Sequence, residues 1–134
     1  KNIFDIAGRA MAAQMVRLNT ISSNLANAGA TTGDPETVYK PLKPEFKTQY
    51  SENVKKNGIS TVNVSKVVEL QKEPFKIFDP NHPLADGDGY IYKAPINVEE
   101  EMVDMMDASR QYQNNIEVVT TLKALTLKTI NLGK

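Results

Sequence analysis

Apolar residues recur near the start of the chain at steps of three and four: Phe4, Ala7 and Met11, then Leu18, Ile21, Leu25 and Ala28. Gln14 is the polar residue that interrupts the stripe. A second stripe runs through Met102, Met105, Tyr112, Ile116, Val119, Leu122, Leu125 and Leu132. Such spacing lines one side of an α-helix, and a strict seven-residue period makes a coiled-coil seam. Two helices are expected, over about residues 2–28 and 98–132, roughly 40 and 50 Å long at about 1.5 Å per residue. The roughly 70 residues between them are too few to cover both stripes along their whole length. Part of each stripe must therefore meet the other stripe or another chain.

The local chemistry of both ends agrees with helix. Asp5 precedes Arg9 by one turn, the favourable order for a helical ion pair. Alanines at 7, 10, 12, 13, 26 and 28 raise helix propensity and allow a close neighbour. A stop is expected at Asn27 to Gly29, before the turn-rich Thr31, Thr32, Gly33, Asp34 and Pro35. In the last segment, Glu99, Glu100, Glu101, Asp104 and Asp107 precede Lys123, Lys128 and Lys134, matching the helix dipole, and Gly133 marks the end. From Ile116 to Leu125 the stripe advances only by threes. That irregularity either overwinds a coiled coil or hands the stripe from one partner to another.

The middle reads as extended and β-rich. Prolines 41 and 44 make Thr37 to Phe46 extended chain rather than regular strand, and the polar Lys47 to Gly58 a loop or excursion. Ile59 to Leu70 predicts a strand with a phase change near Lys66, of the kind a bulge produces. Phe75 to Phe78 predicts a second strand, Asp79 to Gly89 a loop, and Tyr90 to Ile96 another extended piece. The fold class is α+β, with the terminal helices packed as a coiled-coil-like pair around a small hairpin. Residues 1–28 and 98–134 form one discontinuous helical domain, and 29–97 the middle region.

Charge and composition remove several functions. Sixteen basic and sixteen acidic side chains cancel without a basic cluster, so nucleic acid is not an expected partner. No cysteine is present for a disulfide, a thiolate nucleophile or sulfur ligation. No apolar run approaches the roughly 20 residues of a membrane span, so direct membrane insertion is not expected. Asp5, Arg9, Gln14 and Arg17 interrupt any signal-peptide core, so if the protein leaves the cytoplasm it is expected to do so by a route without a cleaved signal.

Candidate chemistry is sparse. His82 is the one histidine and lacks a second nitrogen or sulfur ligand, so it reads as a hydrogen-bonded loop residue. Asp86, Gly87, Asp88 and Gly89 open like a calcium loop, but Tyr90, Ile91 and Asn97 stand where further ligands and the turn glycine belong, which favours a plain turn. Glu99, Glu100 and Glu101 are adjacent and point in different directions, as in a solvated first turn. No catalytic, cofactor or metal residues are assigned, and no enzyme is expected. Met102, Met105 and Met106 are equally readable as an adaptable partner surface or as buried positions of a helix pair.

Asn2 to Ala28, NIFDIAGRAMAAQMVRLNTISSNLANA, resembles the N-terminal segment of the axial proteins of the bacterial flagellum, chiefly through Arg17, Leu18, Asn19, Ser22, Ser23, Asn24, Leu25, Ala26 and Asn27. DPNHPLADGDGY (Asp79 to Tyr90), EMVDMMDASRQYQNNIEVV (Glu101 to Val119) and LKTINLG (Leu127 to Gly133) narrow the likeness to the proximal-rod type. The wider rod and hook family usually continues with a short Thr-x-Gly-Tyr turn. Here Asp34, Pro35 and Glu36 follow Thr32 and Gly33, and the tyrosine comes only at Tyr39, which also favours the proximal rod. The resemblance implies a non-enzymatic subunit of the periplasmic driveshaft, exported through the flagellar type III apparatus. It also implies that the ends fold as they pack against other rod subunits and copies of the same chain. The residues of the two stripes would then form the subunit interface. A soluble helical-hairpin adaptor or export chaperone for another flagellar protein is the alternative; a peptidoglycan-cleaving enzyme would need a catalytic acid in a cleft and a larger sugar-binding domain.

Overall fold

A computed structural model describes residues 3–49 and 61–133. Along the chain follow α1 (Ile3–Asn27), β1 (Thr31–Thr32), a 3-10 turn (Pro35–Thr37), β2 (Leu42–Gln49), β3 (Thr61–Glu69), β4 (Phe75–Phe78), β5 (Tyr90–Lys93) and α2 (Val98–Leu132). The two helices run antiparallel, because Gln14, Arg17 and Asn24 of α1 meet Gln111, Asp107 and Glu101 of α2 in reverse order. With small antiparallel sheets between two long helices, the molecule has the α+β architecture that the periodicity predicts.

α1 stops at Asn27, where the Ala28 and Ala30 N–H groups turn back to the carbonyls of Leu25 and Asn27. α2 starts at an Asn97 cap whose side chain accepts the Glu100 N–H at 3.1 Å. Glu99, Glu100 and Glu101 then occupy the dipole-positive first turn. Gly133 caps the other end through the Thr129 and Ile130 carbonyls, with a φ of −83° that needs no glycine. The helices approach through alanines: Ala7, Ala13 and Ala108 are buried, and Ala108 has no exposed surface at all.

The side of α2 turned from solvent carries Glu101, Met105, Ala108, Tyr112, Asn115, Val119 and Leu122, spaced alternately by four and three. Three residues of helix cover about 300°, so Ile116, Val119, Leu122 and Leu125 drift by about 60° per step across this seam. Ile116 and Leu125 are consequently exposed on its two flanks. The run of threes therefore does not follow the intrachain seam but crosses it.

β2 and β3 form a two-stranded antiparallel ribbon. Leu42–Gln49 is thus regular strand, correcting the irregular chain expected from its prolines and the loop expected from Lys47 onward. Pro44 is tolerated because both strands of a two-stranded ribbon are edges, where a missing N–H can face solvent. Glu45 pairs with Lys66 and Phe46 with Val64, leaving Ser65 as the extra residue of a bulge beside Lys66, where the phase change was expected. The rest of the anticipated polar excursion, residues 50–58, lies outside the described residues, as do Ile59, Ser60 and Lys134.

The second sheet has the order β1-β5-β4. β4 and β5 form a hairpin pairing Phe75 with Lys93 and Phe78 with Tyr90. Its loop closes at Gly89, whose φ of +87° and close approach to Phe78 and Pro80 leave no room for a side chain. A small cluster of Val38, Ala94 and Ile96, flanked by Ala28, Tyr39 and Tyr92, joins this sheet to the end of α1. Both termini of the middle region are thereby held at one end of the helix pair.

Candidate subunit interface

The junction of α1, the ribbon and α2 is organised by Asn24. On a helix its amide reaches sideways, and here it meets the first residue of β2: Asn24 Oδ1 accepts the Leu42 N–H at 2.8 Å and Nδ2 donates to the Leu42 carbonyl at 3.0 Å. The amide therefore pairs with backbone as a neighbouring strand would. Tyr39 Oη donates to the same Oδ1 at 2.9 Å and lies 2.7 Å from Ser23 Oγ. The long connection after Gly33 thus returns Tyr39 to α1. A weaker contact at 3.4 Å joins Asn24 Nδ2 to Glu101 on α2. Asn24 is only 2% exposed, and this full set of partners is what makes its burial tolerable.

A polar clasp follows about two to three turns back along α1. Arg17 donates to Asp107 Oδ2 at 3.0 Å and lies 3.7 Å from Asp104 Oδ1, while Gln14 Nε2 donates to Gln111 Oε1 at 3.0 Å. The Arg17 and Arg110 hydrogen bonds hold the Asp107 carboxyl below its ordinary value. Glu101 moves the other way: desolvation at the junction raises it, and its neighbours Asp104 and Glu100 reinforce the shift against the Asn24 hydrogen bond. Gln14, the interruption in the first stripe, is therefore met by a glutamine of the same chain.

The loop candidates form turns. The Leu84 N–H donates to His82 Nδ1 at 3.0 Å. Asp86 Oδ1 accepts from the Asp88 and Tyr90 N–H groups at 3.0 and 2.8 Å, and Tyr92 Oη donates to Oδ2 at 3.3 Å. These bonds, the Tyr90 N–H foremost, lower the Asp86 carboxyl, while burial foremost raises the Tyr92 hydroxyl. Among the described residues no group of three or more metal-ligating side chains converges.

Many large apolar side chains are exposed. Met102, Val103 and Met106 are exposed along the outer side of α2, Met106 by 72%. Phe75, Ile77, Phe78 and Leu84 are exposed on the hairpin, and Leu125, Leu127, Ile130 and Leu132 at the end of α2, Leu132 by 78%. No large side chain is fully buried among the described residues. Apolar side chains exposed side by side on one element are candidates for contact with another chain.

The comparisons with known proteins match this picture from end to end. The family described as "Flagella basal body rod protein" matches residues 4–33, and that described as "Flagellar basal body rod FlgEFG protein C-terminal" matches residues 88–132. The flagellar basal-body rod protein FlgC of Salmonella typhimurium is 44% identical over 133 residues, covering 99% of this chain and 97% of that protein. Its counterpart in Yersinia enterocolitica is 40% identical over 133 residues, with the same coverages of 99% and 97%. That of Buchnera aphidicola (subspecies Acyrthosiphon pisum) is 39% identical over 135 residues, again with 99% and 97%. The chain belongs to the FlgC family of flagellar basal-body rod proteins.

In this FlgC-family chain the stripe residues divide between two environments. Ala7 and Ile21 are buried within the chain, and Phe4, Met11, Leu18, Leu25, Ala28, Met105, Tyr112, Val119 and Leu122 are half-buried. Met102, Ile116, Leu125 and Leu132 face solvent. Of the methionines, Met102 and Met106 are outward and Met105 is turned inward, so the buried-position reading fits Met105 and not the other two. Asn24 and Arg17 are central to the junction, yet a stripe drawn through apolar residues does not contain them. Their signal was positional: with Gln14 and Ala28 they continue a three-and-four spacing from Ala7 and Ile21.

Proposed function

We propose that the chain is a structural subunit of the proximal rod of the bacterial flagellar basal body, a tube that transmits torque. The observation that carries this reading is likeness over nearly the whole length to FlgC proteins, joined to a helix pair whose outer surface is extensively apolar. The terminal helices act as one discontinuous helical unit and the middle region braces it. The half-buried and exposed stripe residues, among them Phe4, Met11, Leu18, Leu25, Met102, Ile116, Leu125 and Leu132, take their remaining cover from neighbouring subunits. The role is mechanical and uses no catalysis. The subunit reaches the periplasmic rod through the type III export apparatus without a cleaved signal, and its ends gain order as they pack.

Expression in a flagellated host lacking its own FlgC tests this directly. The chain is expected to restore swimming and to remain with isolated basal bodies. Circular dichroism should show helix content rising when the isolated chain meets other rod proteins. A fully helical monomer or closed dimer that stays out of basal bodies would refute the reading and favour an adaptor.

A further inference from the structure

The middle region leaves two strand edges open. In the sheet ordered β1-β5-β4, β4 is an outer strand, and in the ribbon β3 pairs with β2 alone among the described strands. The Asp79 N–H donates to the Gly89 carbonyl at 2.9 Å. In the antiparallel alternation that this bond sets, Ile77 and Phe75 turn their backbone groups toward β5, while Phe78 and Lys76 turn theirs away. The next outward positions on either side are Pro74 and Pro80, which have no N–H. The open edge of β4 is thus a short slot with donors at Lys76 and Phe78, and all four side chains of the strand are exposed.

On β3 the Leu70 N–H donates to the Pro41 carbonyl at 2.8 Å, so Val68 faces β2 while Glu69 and Val67 face away. Gln71 Nε2 reaches the Glu69 carbonyl at 3.5 Å, a contact long enough to be displaced. β2 offers no such edge, because the outward groups of Leu42 are taken by the Asn24 amide and Pro44 has no N–H.

Set antiparallel with their outward groups aligned, the two open edges match residue by residue. Lys76 stands opposite Glu69, Phe78 opposite Val67, Ile77 opposite Val68 and Phe75 opposite Leu70. One charge pair and three apolar pairs result, with about four backbone hydrogen bonds. Within one chain the same register would be a hairpin closing through residues 71–74. That hairpin is not formed: residues 70–74 run without a turn, the two strands belong to separate sheets, and the Asn24 amide holds the ribbon to α1.

We propose that β4 of one copy takes β3 of a second copy onto its open edge, antiparallel and in this register. The inference rests on the rod-subunit reading and names a contact of the middle region rather than of the helices. A second copy is the occupant because its Glu69 supplies the anion for Lys76, whose Nζ lies 4.1 Å from the Tyr90 ring centroid and so keeps its charge beside the sheet. Pairing two β4 edges about Ile77 would instead set Lys76 opposite Phe78, with no charge pair. Because the two edges differ, each added copy leaves one of each free, and the contact runs on from subunit to subunit without closing.

Disulfide trapping in isolated basal bodies tests this, the chain containing no cysteine of its own. Ile77→Cys and Val68→Cys copies, expressed together in a host lacking its own FlgC and mildly oxidised, are expected to form a dimer that neither forms alone. Phe78→Cys with Val67→Cys, at two exposed positions, reads the same register. Ile77→Cys with Lys66→Cys, displaced by two residues, should give about a tenth as much. Glu69→Lys in the Val68→Cys copies should lower the dimer about fivefold, and Lys76→Glu in the Ile77→Cys copies should restore it to within about twofold. Basal bodies that contain the chain but no dimer from either pair would overturn the proposal and leave the rod reading intact. So would a dimer of Ile77→Cys copies alone, indifference to charge reversal, or a chain carrying both Ile77→Cys and Val68→Cys that closes on itself. Absence of the unaltered chain from basal bodies would instead remove the rod reading, and this inference with it.

Discussion

Replacing Asn24 by alanine tests whether one amide joins the helices to the middle region. The side chain is 2% exposed, exchanges bonds of 2.8 and 3.0 Å with the Leu42 backbone and accepts from Tyr39 at 2.9 Å. Each of these bonds contributes about 1 kcal/mol net, and a stranded buried partner costs at least as much, so the expected loss is about 3 kcal/mol. The 3.4 Å contact with Glu101 adds little. A loss of that size is a large part of the roughly 5–15 kcal/mol that holds an ordinary domain together. Urea unfolding followed by circular dichroism and tyrosine fluorescence would measure it, the chain having five tyrosines and no tryptophan. Amide exchange at Leu42 should accelerate in parallel. Asn24→Asp keeps both accepted bonds, loses the bond to the Leu42 carbonyl and sets a carboxylate beside Glu101; it should be less stable than the alanine variant at neutral pH and recover in acid. A loss under about 1 kcal/mol with Leu42 still protected would refute the reasoning, because the ribbon would then be held by its own contacts.

Ala108→Leu places a branched side chain where no surface is exposed, and should cost about 1–3 kcal/mol by urea unfolding as the helices are forced apart. Gly89→Ala meets a φ of +87° and atoms of Phe78 and Pro80 at 2.9 and 3.0 Å, and should lose about 1–3 kcal/mol with faster exchange confined to the β4–β5 hairpin. The two helix carboxylates predict opposite pH dependences. Glu101 titrates above its ordinary 4.5, so its contribution favours the fold below about pH 4.5 and is lost as pH rises through the raised value; Glu101→Gln should therefore stabilise the chain at pH 7. Asp107 titrates below its ordinary 3.8, so its contribution is complete above about pH 3.8 and is lost as pH falls through the lowered value; thermal unfolding of Asp107→Asn should lack that acid-side decline.

Helix positions were legible because a three-and-four spacing sustained over 25 and 35 residues averages out local exceptions. Strand β2 was not, because Pro41 and Pro44 argue against strand in general, whereas Pro41 precedes the strand and Pro44 is harmless in a two-stranded ribbon. The bulge near Lys66 was legible, since one extra residue shifts the alternation of everything after it. The division between inward and outward residues of the stripes was legible only in part. A stripe drawn through apolar residues alone mixes those that face the partner helix, such as Ala7 and Ile21, with those that face outward, such as Met102 and Leu132.

The sequence by itself determined the two long helices, their capping and dipole complement, the extended middle and the family likeness. These depend on local spacing and on residues near one another in the chain. Tertiary structure decided which side of each helix is spent inside the subunit, because that depends on where the antiparallel partner begins and ends. It made Gln14 an intrachain contact, turned Asn24 into a substitute strand for Leu42, and left the last turns of α2 exposed. Only the rotation and overlap of two helices in space separate a surface already used from one still waiting for a partner.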